Sequence, residues 1–470
     1  MAKKIGFIAG PLVFVLVLLA PVPGLPLQAR KVLALACWMA IWWMTEAVPI
    51  PATSLLPLAL LPLMGVVKLT DAALAYADPV VFLFLGGFII AKGLEAYNLH
   101  ERMAMPFLAM GKGRPWLLVA GFMCATAFLS MWMSNTATVM MMLPVALAAI
   151  SRIHNRRFSA ALLLGLAYSA SIGGTATLVG TPPNLVLAGQ LPRLFPGAEI
   201  GFARWMTFAL PFSLVFLFIA WLYLSLYFKV FRVKSDEMVV PVEKGGALSR
   251  SQAYVLVVFV LVAIGWLTRE GLFGLPGWEN LVGLKGYLGD ATIAILGALA
   301  LLAMPGSWKK MAPVLSWEKG SDLPWGILIL FGGGLSLASA FGGSGLSAWI
   351  ANGVVGLEGL PTWLMVFIVA GAISLLTELT SNTATAALVI PLLAGVSHGA
   401  GLSPYALTVP AALASSCAFM LPVGTPPNAI VYGTGRFTIG QMARVGFVVN
   451  FIAVTLTTIL AVWILPLVLR

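Results

Sequence analysis

Hydrophobic positions in this 470-residue chain neither alternate nor keep to one helix face; they come in runs about as long as a bilayer is thick. Such runs recur at roughly 5 to 24, 32 to 47, 50 to 66, 79 to 97, 158 to 190, 206 to 228, 252 to 268, 290 to 304, 324 to 345, 404 to 432 and 445 to 468. The pattern predicts an all-α polytopic membrane protein with eleven transmembrane helices. The first run lacks a small-residue cleavage site and ends at Pro21 and Pro23, so it reads as a retained helix and not as a signal peptide.

Two more apolar stretches, 115–150 and 362–397, are each broken near the middle by polar residues. The first break reads Ser130-Met-Trp-Met-Ser134-Asn135-Thr136 and the second Thr377-Glu378-Leu379-Thr380-Ser381-Asn382-Thr383. Lipid offers no hydrogen bonds to such a break, so it must be buried in protein or line a water-filled cavity. Both stretches are expected to be re-entrant hairpins. Arg102, Lys112 and Arg114 precede the first, and Arg152, Arg156 and Arg157 follow it, which places both its ends in the cytoplasm. With the hairpins re-entrant and the N-terminus inside, 18 of the 27 Lys and Arg lie on cytoplasmic loops, 8 on outer ones, and Lys92 within a helix. The expected location is the cell inner membrane, with the N-terminus cytoplasmic and the C-terminus outside.

Composition agrees, with 60% hydrophobic and 9% charged residues and a mean hydropathy of +1.01. The net charge of +11 is spread over short loops, a topology signal with no compact patch for nucleic acid. Cys37, Cys124 and Cys417 all sit in apolar segments and imply no disulfide framework.

The chain repeats itself. Phe84-Leu85-Gly86-Gly87-Phe88 matches Leu330-Phe331-Gly332-Gly333-Gly334, and Ser134-Asn135-Thr136 matches Ser381-Asn382-Thr383. Val179-Gly180-Thr181-Pro182-Pro183-Asn184 then matches Val423-Gly424-Thr425-Pro426-Pro427-Asn428, and the three offsets are 246, 247 and 244 residues. By the crossing count the halves run oppositely through the membrane, the inverted architecture of secondary transporters. The expected organisation is a first helix over 1–30, a first repeat over 31–230, a cytoplasmic linker over 231–250 and a second repeat over 251–470.

The proline pairs cannot sit inside an unbroken helix, so each half supplies one broken helix beside one hairpin tip. Unwound carbonyls suit a cation, and the helix N-termini after each break suit an anion. Ser130, Ser134 and Asn135 in one half, and Thr377, Thr380, Ser381 and Asn382 in the other, add neutral oxygens that fit a hard ion such as sodium. Neither motif contains Arg or Lys, so a dianion there needs compensating cations, and each ligand would favour the other. Singly, Ser-Asn-Thr is a common helix cap and Thr-Pro-Pro-Asn a common turn; their duplication at matched spacing and membrane depth is what points to a site. Glu46, Lys92, Glu95 and Glu378 are ionisable residues in or near the membrane, and Lys92 and Glu95 have the spacing of a helix-end ion pair.

The duplicated Ser-Asn-Thr, each followed by Gly-Thr-Pro-Pro-Asn, with Thr45-Glu46-Ala47 upstream and Cys417-Ala-Phe-Met-Leu-Pro422-Val before the second proline pair, resembles the divalent anion/sodium symporter family over nearly the whole chain. The resemblance implies a homodimer of eleven-helix protomers, each with a scaffold domain and a transport domain that moves like an elevator. It implies substrate carboxylates held by Asn135, Thr136, Asn382 and Thr383, with Ser381, Thr181, Pro182, Thr425 and Pro426 alongside. One sodium site would use Ser130, Ser134, Asn135 and Gly180, the other Thr377, Thr380, Asn382 and Gly424. The expected activity is sodium-coupled symport of C4-dicarboxylates such as succinate, malate and fumarate.

The same family holds sodium-independent exchangers and carriers of sulfate or citrate, and these stay open at this point. An enzyme is not expected, because the three histidines, His100, His154 and His398, fall in loops and no nucleophile–base pair or phosphate-binding loop is present. An ion channel fits sealed, paired half-sites less well than alternating access does.

Overall fold

The computed structural model describes residues 2–111, 114–233, 247–271, 275–307, 311–353 and 360–469. Lys112 and most of the expected linker, residues 234–246, lie outside the described residues. The described chain is mainly helical, with one short antiparallel ribbon pairing Pro305–Ser307 with Ala312–Pro313.

The chain opens with α1 (Ala2–Leu19), α2 (Leu27–Thr45), α3 (Ile50–Leu63), α4 (Leu69–Ala96) and α5 (Leu99–Leu108). The first half continues as α6 (Pro115–Ser130), α7 (Asn135–Ile153), α8 (Arg156–Gly174), α9 (Pro182–Leu194) and α10 (Phe202–Tyr227). Then come α11 (Arg250–Thr268), α12 (Asp290–Ala303), α13 (Trp325–Gly343) and α14 (Leu346–Gly353). The chain closes with α15 (Thr362–Thr377), α16 (Asn382–Gly399), α17 (Pro404–Ser415), α18 (Pro426–Tyr432) and α19 (Ile439–Val468). By length and composition α4, α7, α10, α11, α13 and α19 are able to cross a membrane.

Both polar breaks interrupt helix where the pattern predicts it. Met131 to Ser134 separates α6 from α7, and Ser134 Oγ caps α7 by accepting from Ala137 N at 3.2 Å. Glu378 to Ser381 likewise separates α15 from α16. The runs at 158–190 and 404–432 are each cut in two, with Pro182 and Pro426 standing as the first residue of the new helix. There the missing N–H costs nothing, since the first turn has no partner for it.

The first break is buried because its helix lies directly on the hairpin. At Gly173 an added methyl would come 2.3 Å from the carbonyl oxygen of Ala127 on α6, so only glycine permits the contact. The run at 50–66 is locally kinked between Thr53 and Leu56, where Ser54 Oγ donates back to Ile50 O at 2.7 Å.

A buried charge knot ties the ends of α10, α11 and α12. Arg269 donates to Asp290 Oδ1 at 2.7 Å and to Glu279 Oε2 at 2.8 Å, and pairs with Glu270. Asp290 Oδ2 accepts from Phe202 N at 2.9 Å. Burial pushes the Glu270 carboxyl up, the Arg269 charge pulls it back, and the neighbouring Asp290 and Glu279 carboxylates add to the rise.

Candidate functional site

Both hairpin tips and both helix breaks converge on one cavity of about 830 Å³. From the first half it is lined by Ser134, Asn135, Thr136, Gly180, Thr181 and Pro182. From the second it is lined by Thr380, Ser381, Asn382, Thr383, Gly424, Thr425 and Pro426. Phe84 and Phe88 of α4, Pro51 of α3 and Ile327 and Leu330 of α13 form an apolar opposing wall. Of the residues singled out from sequence, Ser130 and Thr377 stand one layer behind, fully buried, and reach the cavity through the asparagines.

That second layer is the same in both halves. Ser130 Oγ donates to Asn135 Oδ1 at 2.7 Å, and Thr377 Oγ1 donates to Asn382 Oδ1 at 2.7 Å. Oxygen atoms crowd around the first pair. An added methyl at Gly174 would lie 2.6 Å from Asn135 Oδ1 and 3.1 Å from Gly180 O; one at Gly180 would lie 2.5 Å from Gly174 O and 2.9 Å from Ser130 O. Hydroxyl, amide and main-chain oxygens with no cationic neighbour are the donor set of a hard monovalent or divalent cation. In the second half Thr377 also bonds to Ser415 O at 2.9 Å, and Thr380 Oγ1 lies 2.6 Å from Thr385 Oγ1.

Anion chemistry comes from the opposite polarity of the same elements. Asn135 and Thr136 open α7, and Asn382 and Thr383 open α16, so unpaired first-turn amides stand at the cavity wall beside side-chain amides and hydroxyls. Thr181 Oγ1 lies 3.5 Å from Ser416 Oγ, and Thr425 Oγ1 caps α18 through Asn428 N at 3.3 Å.

Sequence reading left out the residues that hold the breaks open in this shape. Asn184 Nδ2 donates to the carbonyls of Gly174, Thr175 and Thr177 at 3.2, 3.3 and 2.7 Å. In the other half Asn428 Nδ2 donates to Ala418 and Leu421, both at 3.0 Å. Each closes the unwound loop onto its own helix, and the signal available for them was the shared last residue of the Thr-Pro-Pro-Asn motif. Glu378 has no such twin. Its buried carboxylate accepts from the main-chain N–H groups of Phe419, Met420 and Leu421 at 2.7, 2.8 and 3.0 Å and from Asn450 Nδ2 at 2.8 Å.

The other ionisable candidates lie apart from the tips. Lys92 pairs with Glu95 at 3.3 Å and with Asp322 at 3.1 Å, away from the cavity. Glu46 is an exposed residue of the cavity lining and pairs with Lys3 at 3.7 Å.

The family model for the sodium:sulfate symporter transmembrane region matches residues 2–469. The chain belongs to this family, the divalent anion/sodium symporters. It is 42% identical over 492 aligned residues to a sodium-dependent dicarboxylate transporter, SdcS, of Staphylococcus aureus strain bovine RF122 / ET3-1, covering 99% of this chain and 92% of the relative. The protein of the same name in strain MSSA476 is equally similar. Among solved structures, the YdaH transporter of Alcanivorax borkumensis superposes with a TM-score of 0.58 at 15% identity, covering 84% of this chain and 87% of that one. MtrF of Neisseria gonorrhoeae gives 0.55 at 16% identity, over 84% and 83% of the two chains. At these identities the structural likeness speaks for the fold alone.

Proposed function

We propose that this chain is a secondary active transporter that carries a C4-dicarboxylate, such as succinate, malate or fumarate, together with sodium across the cell inner membrane. The observation that carries the reading is the cavity itself. Two hairpin tips and two helix breaks meet there, each half repeating the 2.7 Å hydroxyl–amide contact, with no Arg or Lys among the lining residues described. A dianion bound there is poorly solvated and has no cationic side chain to meet it, so sodium on the crowded oxygens behind Asn135 and Asn382 supplies the charge. Membership in the family, and the likeness to the sodium-dependent dicarboxylate transporters of Staphylococcus aureus, favour the same pairing of ion and substrate.

In this reading Asn135, Thr136, Ser381, Asn382 and Thr383, with Thr181, Pro182, Thr425 and Pro426, hold the carboxylates. Ser130, Ser134, Asn135 and Gly180 hold one sodium ion; Thr377, Thr380, Asn382 and Gly424 hold another. The same reading has eleven crossings and two re-entrant hairpins, an N-terminus in the cytoplasm, a C-terminus outside and inverted repeats over 31–230 and 251–470. The hairpins and broken helices form a transport domain that slides as an elevator against a scaffold, in a homodimer. With the N-terminus inside, Lys3 and the exposed Glu46 of the cavity lining stand on the cytoplasmic side, which supports a cavity open to the cytoplasm. Arg193 of α9 then clasps the scaffold from the far side, through Asp78 at the start of α4 and through Ser339 of α13 at 2.8 Å.

The test is uptake of radiolabelled succinate into proteoliposomes with and without an inward sodium gradient. Saturable uptake that needs the gradient is expected. Uptake driven equally by internal succinate without sodium would replace symport by exchange, and non-saturating flux would point to a channel.

A further inference from the structure

Glu46 is the one ionisable side chain among the described residues that line the cavity. Its position is set from two sides. α2 has to end ahead of Pro49, and Glu46 closes it in the left-handed conformation with φ 46°. Glutamate rarely adopts that conformation, so surrounding contacts hold it there. α1 meanwhile crosses α2 so closely at Gly6 that an added methyl would come 2.0 Å from Thr45 Oγ1, and Phe7 stacks on Trp42 at 5.9 Å. This crossing brings Lys3 Nζ to 3.7 Å from Glu46 Oε2, with 70% and 62% of the two side chains exposed. A pair so loose and so wet offsets only part of the carboxylate's field.

We propose that Glu46 is an electrostatic filter at the opening of the transport cavity, drawing sodium in and turning the dicarboxylate away at that face, with Lys3 setting its strength. The proposal rests on the sodium–dicarboxylate reading above. A charge on the low-dielectric wall of a cleft focuses its field along the cleft. Glu46 therefore acts with opposite sign on the two cargoes, and more strongly on the dianion. At the cytoplasmic face that bias lowers the affinity for substrate where substrate has to leave, while the site's own oxygens and amides are untouched.

The experiment uses inside-out membrane vesicles, whose bath meets the face carrying Lys3, and measures initial rates of radiolabelled succinate uptake. Succinate is varied at saturating sodium and sodium at saturating succinate, at low and at high ionic strength set with choline chloride. For Glu46→Gln, the half-saturating succinate should fall and the half-saturating sodium should rise, each roughly two- to fivefold at low ionic strength and less at high. Lys3→Gln should move both constants the other way. Unchanged constants in both variants, shifts of the same sign in both, or shifts that persist at high salt would each overturn the filter while leaving symport intact. Sodium-independent uptake by the unmodified protein would remove the sodium-symport reading and the filter together, an outcome recognised without any variant.

Discussion

Thr377 donates its hydroxyl to Oδ1 of Asn382 across 2.7 Å, and 247 residues earlier Ser130 does the same to Asn135. The bond fixes each amide oxygen on a buried hydroxyl, in the first half with Gly180 O close by, and leaves the NH2 group as the donor of the side chain. In the proposed reading one side chain thereby serves cation and anion at once. Asn135→Ala and Asn382→Ala should each raise the half-saturating concentrations of both sodium and succinate, about tenfold or more for a lost bond to a charged group. Size-exclusion elution should stay unchanged. Normal transport by both variants would reduce these tips to helix caps.

The asparagines at the ends of the proline motifs act one step further back. Asn184→Leu takes the side-chain donor from Gly174 O and Thr177 O in a buried loop, Thr175 O keeping Trp205 Nε1, and Asn428→Leu takes it from Ala418 O, Leu421 O keeping Gly424 N. A cost of about 1–3 kcal/mol is expected for each variant, larger at Asn184. Thermal unfolding in detergent reports it as a lowered midpoint. Since Gly174 O is one of the carbonyls that lose this donor and lies against Gly180, one of the proposed sodium ligands, sodium half-saturation should worsen more at Asn184 than at Asn428.

What could be read from the chain, and what could not, follows from the range of each interaction. The hairpin tips and proline breaks announce themselves because a polar or proline-bearing interruption of an apolar run is a local event, and its duplication ties the halves together. Asn184 and Asn428 were visible only as motif ends, because their bonds depend on the loop having folded back. Glu378 escapes repeat comparison altogether, since Met131 occupies the matching position of the first hairpin. There the unwound loop is held differently, by Trp205 Nε1 on Thr175 O at 3.0 Å and by Thr177 Oγ1 on Met131 O. The two halves share a plan at the cavity and diverge in how each break is anchored.

Arg269 gives a stability prediction with a pH signature. Arg269→Gln leaves Glu270, Glu279 and Asp290 facing one another with no counter-charge, which should cost about 3–5 kcal/mol. Burial already pushes the Glu270 carboxyl up, and without the guanidinium that pulls it back it rises further above its unfolded value, so the deficit should grow as pH rises and shrink as it falls. Midpoints of thermal unfolding at pH 5 and pH 8 check this; a deficit independent of pH would argue that the knot acts by packing alone.

The re-entrant first hairpin makes a topological prediction. Arg114 and Arg156 flank it and are exposed. Cysteines placed at both, in a background lacking Cys37, Cys124 and Cys417, should react with an impermeant maleimide from the cytoplasmic side only. Labelling from opposite sides would mean that the stretch spans the membrane, and the inverted repeat would fail with it.

Coupling is the prediction on which the transport reading turns. A dianion entering a cavity with no lysine or arginine among its described lining residues has to bring compensating charge, because a poorly solvated charge without a partner is costly. In the proposed reading sodium on the oxygens of Ser130, Asn135, Thr377 and Asn382 sits next to the amides that meet the carboxylates, so each ligand lowers the electrostatic cost of the other. Linkage then requires the effect to be mutual: succinate affinity rises with sodium, and sodium affinity rises with succinate by the same factor. Potassium, the larger ion, is expected to substitute poorly in a cluster this crowded. Equilibrium binding of succinate to purified protein in sodium, potassium and choline buffers measures the factor directly. Tight binding in sodium alone is the expected result; equal affinity in all three would mean that helix termini and hydrogen bonds neutralise the dianion unaided, which would make the protein an exchanger with the same anion site.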